Sequence, residues 1–128
     1  RADLCNYRMK NSEDSLTVAK DCLEKGLYRD AINRSYYAAF YAIKALLALE
    51  EVDFKKHKDV VAYFNRTYAA TEKIPREIGR KLARLQQKRE KSDYDDFYIA
   101  SKEETMEQIE NTKSVILAVK DYLSRMEN

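Results

Sequence analysis

The sequence predicts an all-α fold, an antiparallel up-and-down bundle of four to five helices, and three observations predict it. Glycine occurs twice and proline once in 128 residues, so little interrupts a helix. Apolar residues recur at three- and four-residue spacing in five separate segments. The charged residues make up 36% of the chain and are mainly Lys, Arg and Glu, which helices tolerate.

The first segment, about Ala2 to Lys25, carries Leu16, Ala19 and Leu23 at helical spacing, with Val18 and Cys22 alongside. Leu4 and Tyr7 extend that stripe toward the start, and Gly26 supplies a stop, because glycine takes the left-handed conformation at low cost. The second, about Tyr28 to Glu50, is apolar on nearly every side. Ile32, Tyr36, Ala39, Ile43 and Leu46 form one stripe, and Tyr37, Phe40, Tyr41, Leu47 and Leu49 fill the others. Such a helix is hard to bury within one small chain, and a dimer interface would cover the remainder. The third, about Lys56 to Tyr68, carries Val60, Val61, Phe64 and Tyr68. The fourth begins near Pro75, which suits a first helical turn, and turns Ile78, Leu82 and Leu85 inward. Between Lys91 and Ser101 the periodicity dissolves, so that stretch is expected to be a loop. The fifth, about Lys102 to Met126, directs Met106, Ile109, Ile116, Val119 and Leu123 inward, with Ser101 and Glu104 as a capping box. Connections are short, so neighbouring helices should run antiparallel, and no linker divides the chain, so residues 1–128 read as one domain.

Several function classes are disfavoured. No apolar run approaches the roughly 18 residues of a membrane span. Cys5 and Cys22 on one helix stand roughly 25 Å apart, beyond disulfide reach, so reduced thiols and a cytoplasmic location are expected. His57 is the sole histidine, the cysteines are isolated and the carboxylates are strung along helix faces, so no metal and no cofactor is expected. Gly26 and Gly79 are too far apart for a phosphate loop.

Charge and aromatic patterning say more. Eight basic residues lie between Lys73 and Lys91, opposed by Glu77 and Glu90, and seven acids follow between Asp93 and Glu110. Arg76, Arg80 and Arg84 share one helix face, extended by Lys88, and can follow a phosphate backbone. The alternative is a solvated face paired with the acidic start of the fifth helix. Tyr36, Tyr37, Phe40 and Tyr41 suit core or dimer packing better than base stacking. Arg34 sits within that apolar helix and needs an acidic partner or a rim, with Asp30, Asp93 and Asp95 as candidates.

The string Asn33-Arg34-Ser35-Tyr36-Tyr37-Ala38-Ala39-Phe40-Tyr41-Ala42, preceded by Tyr28-Arg29-Asp30-Ala31, resembles the second helix of small prokaryotic HEPN proteins of the UPF0332 group. The Lys56-His57-Lys58 and Arg89-Glu90-Lys91-Ser92-Asp93-Tyr94 steps resemble that group too, in the same order, and the likeness spans about Leu16 to Leu123. The resemblance implies a four- or five-helix bundle, a homodimer with its groove at the interface, and a minimal nucleotidyltransferase partner in toxin–antitoxin-type modules. It also implies metal-independent RNA cleavage by an Arg followed, after four to six residues, by a His. Arg89 matches that Arg. The His is absent, and Tyr94 stands four intervening residues on. Cleavage needs a base for the 2′-hydroxyl and a cation for the phosphorane. Arg89 suits the second task, whereas phenols ionise near about pH 10 and carboxylic acids near about 4, which makes Tyr94 and Asp93 poor bases. His57 precedes Arg89 and would join it only through the fold or from a second subunit. The candidate catalytic residues are therefore Arg89, Asp93, Tyr94 and His57, and the candidate RNA- or nucleotide-binding residues are Arg34, Tyr37, Arg80, Arg84 and Lys88. The first functional expectation is an RNA- or nucleotide-binding component with weak or no catalysis. An endoribonuclease toxin comes second and a structural helical module third.

Overall fold

The computed structural model describes residues 1–127; Asn128, the last residue of the expected domain, lies outside them. Five α-helices follow one another as α1 (Ala2–Glu24), α2 (Tyr28–Leu49), α3 (His57–Phe64), α4 (Arg76–Tyr94) and α5 (Lys102–Met126). No strand occurs among the described residues. Pairings across the bundle set the directions. Arg8 and Ser12 of α1 meet Lys44 and Ala38 of α2, Asn33 and Tyr36 of α2 meet Asp93 and Arg89 of α4, and Lys81 and Lys88 of α4 meet Ser114 and Glu104 of α5, so each of these neighbours runs antiparallel.

Helix α2 is the axis. Ala31, Ile32, Tyr36, Ala38, Ala39, Phe40, Ala42, Ile43 and Ala45 to Ala48 are all buried within this one chain, because α1, α3, α4 and α5 all pack against α2. The chain thus covers most of α2 by itself, while Tyr37, Tyr41 and Leu49 stay only partly buried. A central helix can be apolar nearly all round when amphipathic neighbours enclose it, and these do.

The closest neighbour, α1, buries Cys5, Ser12, Ser15 and Ala19, while Leu4, Tyr7 and Val18 of the expected stripe are exposed. Small side chains let α1 lie close on the alanines of α2, and the Ser12 hydroxyl donates to the Ala38 carbonyl at 2.5 Å, so the buried polar atom is satisfied. In α5 the same preference places Thr105, Gln108 and Thr112 inside and leaves Met106 half-exposed. The Thr112 hydroxyl donates to the Ser35 carbonyl.

Helix ends follow local chemistry. Gly26 takes φ +74°, and the amides of Gly26 and Leu27 return to the carbonyls of Leu23 and Cys22, which closes α1 in a Schellman motif. The Ser101 hydroxyl accepts the Glu104 amide at 3.0 Å. The Glu104 carboxylate does not complete the capping box, because it is taken by the Tyr98 hydroxyl and Lys88.

Two stretches depart from expectation. The third segment is α3 followed by a π-helical turn, Asn65–Ala69, in which the Ala70 amide reaches the Asn65 carbonyl at 2.7 Å. Helix α4 continues through Tyr94, a turn past the expected loop start at Lys91, where Arg29 of α2 donates to the Ser92 carbonyl and Asn33 of α2 donates to Asp93. Gly79 of α4 lies against the π turn. A β-carbon there would stand 2.7 Å from Asn65 Oδ1 and 3.2 Å from Ala69 Cβ. Gly79→Val should therefore destabilise the chain by about 1–3 kcal/mol through overpacking, read as a lower urea midpoint.

Candidate functional site

Residues 33, 36, 37 and 40 fall on one face of α2, since three and four residues bring a helix round to the same side. That face meets the last turns of α4 and the first residue of α3, and three segments distant in sequence converge there.

Tyr36 is fully buried. The Arg89 guanidinium lies 4.8 Å from its ring centroid and 5.6 Å from that of Tyr37. The His57 ring lies tilted against Phe40 at 4.1 Å between centroids, and its Nδ1 is 3.1 Å from the Tyr36 hydroxyl. The fold thus brings His57 to the aromatic ring that carries Arg89, within a single chain. Burial pushes the Tyr36 phenol up to about 12, against the opposing pull of the Arg89 charge. Burial also lowers the His57 pKa, and the positive charges of Arg89 and Lys44 add to the effect.

A stability consequence follows from the His57 shift. The unfolded chain binds the His57 proton near the ordinary value of about 6.5, and the folded chain binds it less readily, so this contribution to stability is complete above about pH 6.5 and is lost as pH falls below it. The urea midpoint of the wild type should drop more between about pH 7.5 and 5.5 than that of His57→Gln, which has no proton to gain. The other shifted acid, Asp53, has its pKa lowered by a hydrogen bond from Lys44 and titrates below this window.

Arg89 is mostly enclosed, with 12% of its side chain exposed. Asp93, its one ion-pair partner among the described residues, stands 3.9 Å from its Nε, and the buried Nε has no hydrogen-bond partner among those residues. Asp93 also accepts from Asn33 Nδ2 at 3.2 Å. Arg34 finds no acidic partner among the described residues, which corrects the expected pairing with Asp30, Asp93 or Asp95. Its guanidinium donates to Asn33 Oδ1 at 2.8 and 3.1 Å and lies 5.1 Å from the Tyr37 centroid. The negative face of an aromatic ring supplies what a carboxylate would. Two guanidinium groups thus share Tyr37.

Arg89 opens onto a surface hollow of about 540 Å³ lined by Gln87, Arg89, Glu90, Lys91, Tyr94 and Asp95. Tyr94 is 75% exposed at its rim. The rest of the basic stripe lies outside this hollow. Arg84 pairs with Glu107 at 4.0 Å and Lys88 with Glu104 at 3.7 Å, so the acidic start of α5 answers them. Arg80 has no ion-pair partner among the described residues and borders a separate hollow with Asn65, Arg76 and Gly79. No group of three or more His, Cys, Asp or Glu side chains among the described residues could hold a metal ion.

The roles of Tyr36, Asn33 and Arg29 were not legible in the sequence. Tyr36 reads as core, and it is core, yet its hydroxyl also holds His57. Asn33 links Arg34 to Asp93. Arg29 ties α2 to the end of α4 by donating to the Ser92 carbonyl. The helical spacing of Asn33, Tyr36 and Tyr37 was the available signal, but it says nothing of what faces them.

A central apolar helix enclosed by four others, with an arginine-on-tyrosine cleft where its first half meets the end of α4, defines a helical bundle of the HEPN class. Solved structures agree on the fold. An archaeal HEPN homologue superposes with a TM-score of 0.74 at 21% identity, covering 91% of this chain and 95% of that one. A HEPN domain protein from Thermotoga maritima gives 0.70 at 21%, covering 93% and 98%. The HEPN domain family model matches residues 5–122, and the chain belongs to that family. Its relatives include a UPF0332 protein of Thermotoga maritima, 29% identical over 94% of this chain and 91% of that protein. Another is a UPF0332 protein of Gloeobacter violaceus, 33% identical over 67% and 68%. A Methanocaldococcus jannaschii protein named "Putative toxin MJ0605" is 37% identical over 65% of this chain and 62% of its own length.

Proposed function

We propose that this chain is the HEPN component of a toxin-type module, and that the cleft at Arg89 binds RNA or a nucleotide with weak or no cleavage. The observation that carries the reading is the state of Arg89. It is a largely enclosed guanidinium lying against two tyrosine rings, loosely neutralised by one carboxylate 3.9 Å away, on a residue that lines an open hollow. A phosphate oxygen is the kind of acceptor such a group lacks. Arg34, without a carboxylate, adds a second cation, and the exposed Tyr94 ring offers a face on which a base can stack. The name of the Methanocaldococcus relative supports the toxin-type setting.

A homodimer and a minimal nucleotidyltransferase partner belong to the same reading. Their support is the exposed edge between α4 and α5, where Phe97 is 93% and Ile99 is 87% exposed next to Tyr94. A second reading, a metal-independent ribonuclease, is favoured by one observation, the arrival of His57 at the ring that carries Arg89.

The test is a titration of labelled single-stranded RNA, and of nucleotides, at two salt concentrations. Arg34→Ala should weaken RNA binding about fivefold and flatten the salt dependence by about one charge. Absence of binding to either ligand at low salt defeats the proposal. RNA cleavage by the wild type in EDTA, abolished in Arg89→Ala, would establish the ribonuclease instead.

A further inference from the structure

We propose that Tyr36 is a positioning residue: its hydroxyl holds the neutral His57 ring with the proton on Nε2, so that His57 acts as a hydrogen-bond donor to the ligand and not as a base.

The argument starts from a buried hydroxyl. Tyr36 is 0% exposed, and the only hydrogen-bond partner of its hydroxyl among the described residues is His57 Nδ1, at 3.1 Å. A buried O–H must donate. Nδ1 can accept only if it carries no proton, and a neutral imidazole then carries its proton on Nε2. The opposite arrangement, with Nδ1–H donating to the phenol oxygen, leaves the phenolic proton unpartnered in the core and is disfavoured by roughly tenfold or more.

The surroundings favour the same state. The phenol stays protonated because burial holds its pKa far above neutrality. The ring stays neutral because burial and the charges of Arg89 and Lys44 oppose a second proton. The imidazole is fixed in orientation as well, packed at a tilt against Phe40 at 4.1 Å, with the Tyr37 ring edge-on at 5.8 Å. Nε2 has no protein partner among the described residues, so its N–H is the free end of the ring.

The consequence is chemical. Taking a proton from a 2′-hydroxyl requires a lone pair on the free nitrogen, and here the lone pair is on Nδ1, facing Tyr36. Catalysis that needs the other tautomer loses several orders of magnitude. A neutral N–H suits an acceptor such as a phosphate oxygen, beside the charge of Arg89. The donor role rests on the reading of this cleft as an RNA- or nucleotide-binding site, whereas the tautomer is a property of the free chain.

Because His57 is the only histidine, a long-range ¹H–¹⁵N correlation spectrum of the ¹⁵N-labelled chain at about pH 7.5 reports a single imidazole. The expected spectrum shows the proton on Nε2. Tyr36→Phe keeps the ring under Arg89 and removes the hydroxyl, so the Nδ1 resonance should shift and the two tautomers should mix. A wild-type proton on Nδ1, or identical spectra for wild type and Tyr36→Phe, overturns the proposal, and the first measurement depends on no variant. For the donor role, His57→Phe should weaken binding of a single-stranded RNA homopolymer about fivefold, and His57→Gln, which keeps an N–H donor, should recover much of the loss. Equal affinities of wild type and His57→Phe overturn the donor role. Absence of RNA binding by the wild type defeats the donor role together with the functional reading, and leaves the tautomer standing on its own spectrum.

Discussion

Phe64→Ala is expected to cost about 3–5 kcal/mol of stability, the largest effect of any single truncation considered for this chain. Phe64 is fully buried and stacks on Tyr68 with centroids 5.8 Å apart. It closes α3, which has eight residues and is held to the core by Val60, Val61 and Phe64. A helix that short has little stability of its own. Losing its largest anchor should loosen α3 from α2, and His57 is the first residue of α3. Against the about 5–15 kcal/mol typical of a whole domain, the loss is a large fraction. The measurement is the urea midpoint together with amide exchange across residues 57–64. If the midpoint falls by less than about 1 kcal/mol equivalent, the core does not depend on the Phe64 anchor of α3.

Arg89→Ala is expected to reduce RNA affinity at least tenfold while leaving stability within about 1 kcal/mol of wild type. Removing the side chain gives up the contact with the Tyr36 and Tyr37 rings, but it also removes a buried nitrogen that has no hydrogen-bond partner among the described residues. Asp93 keeps Asn33 as a donor. The two effects on folding oppose each other, whereas the effect on an anionic ligand has one sign. Arg89→Lys keeps the charge but not the planar face that lies on the rings, so it should recover only part of the affinity. Equal RNA affinity in wild type and Arg89→Ala, with both folded, would remove Arg89 from the binding site.

Much of the fold was readable because helices obey short-range rules. The five segments, the stop at Gly26 and the cap at Ser101 all follow from spacing and backbone chemistry within a few residues. The errors have a common origin. Leu4, Tyr7, Val18 and Met106 are exposed while Cys5, Ser12, Thr105 and Gln108 are buried, because α1 and α5 approach α2 closely enough to favour small or hydrogen-bonded side chains. Apolarity predicts which residues gain from burial. It does not state the distance between two helices. The end of α4 lies a turn beyond the expected one for a related reason, since Arg29 of α2 donates to the Ser92 carbonyl, a contact that local periodicity does not reveal.

The candidate site divides in the same way. The resemblance marked Arg89 and Tyr94, and the structure lines one hollow with both. Arg34 was seen to need a partner, and the partner is a tyrosine ring with an asparagine, where a carboxylate was expected.

The sequence alone determined that the chain is a helical bundle built on an apolar second helix, and which family it resembles, because periodicity and motif are properties of neighbouring residues. Only the tertiary structure decided that this helix is enclosed by its own chain, that Arg84 and Lys88 are answered by α5, and that His57 meets the tyrosine under Arg89. Each of those depends on contacts between residues more than ten positions apart, and such contacts are set by how whole helices pack.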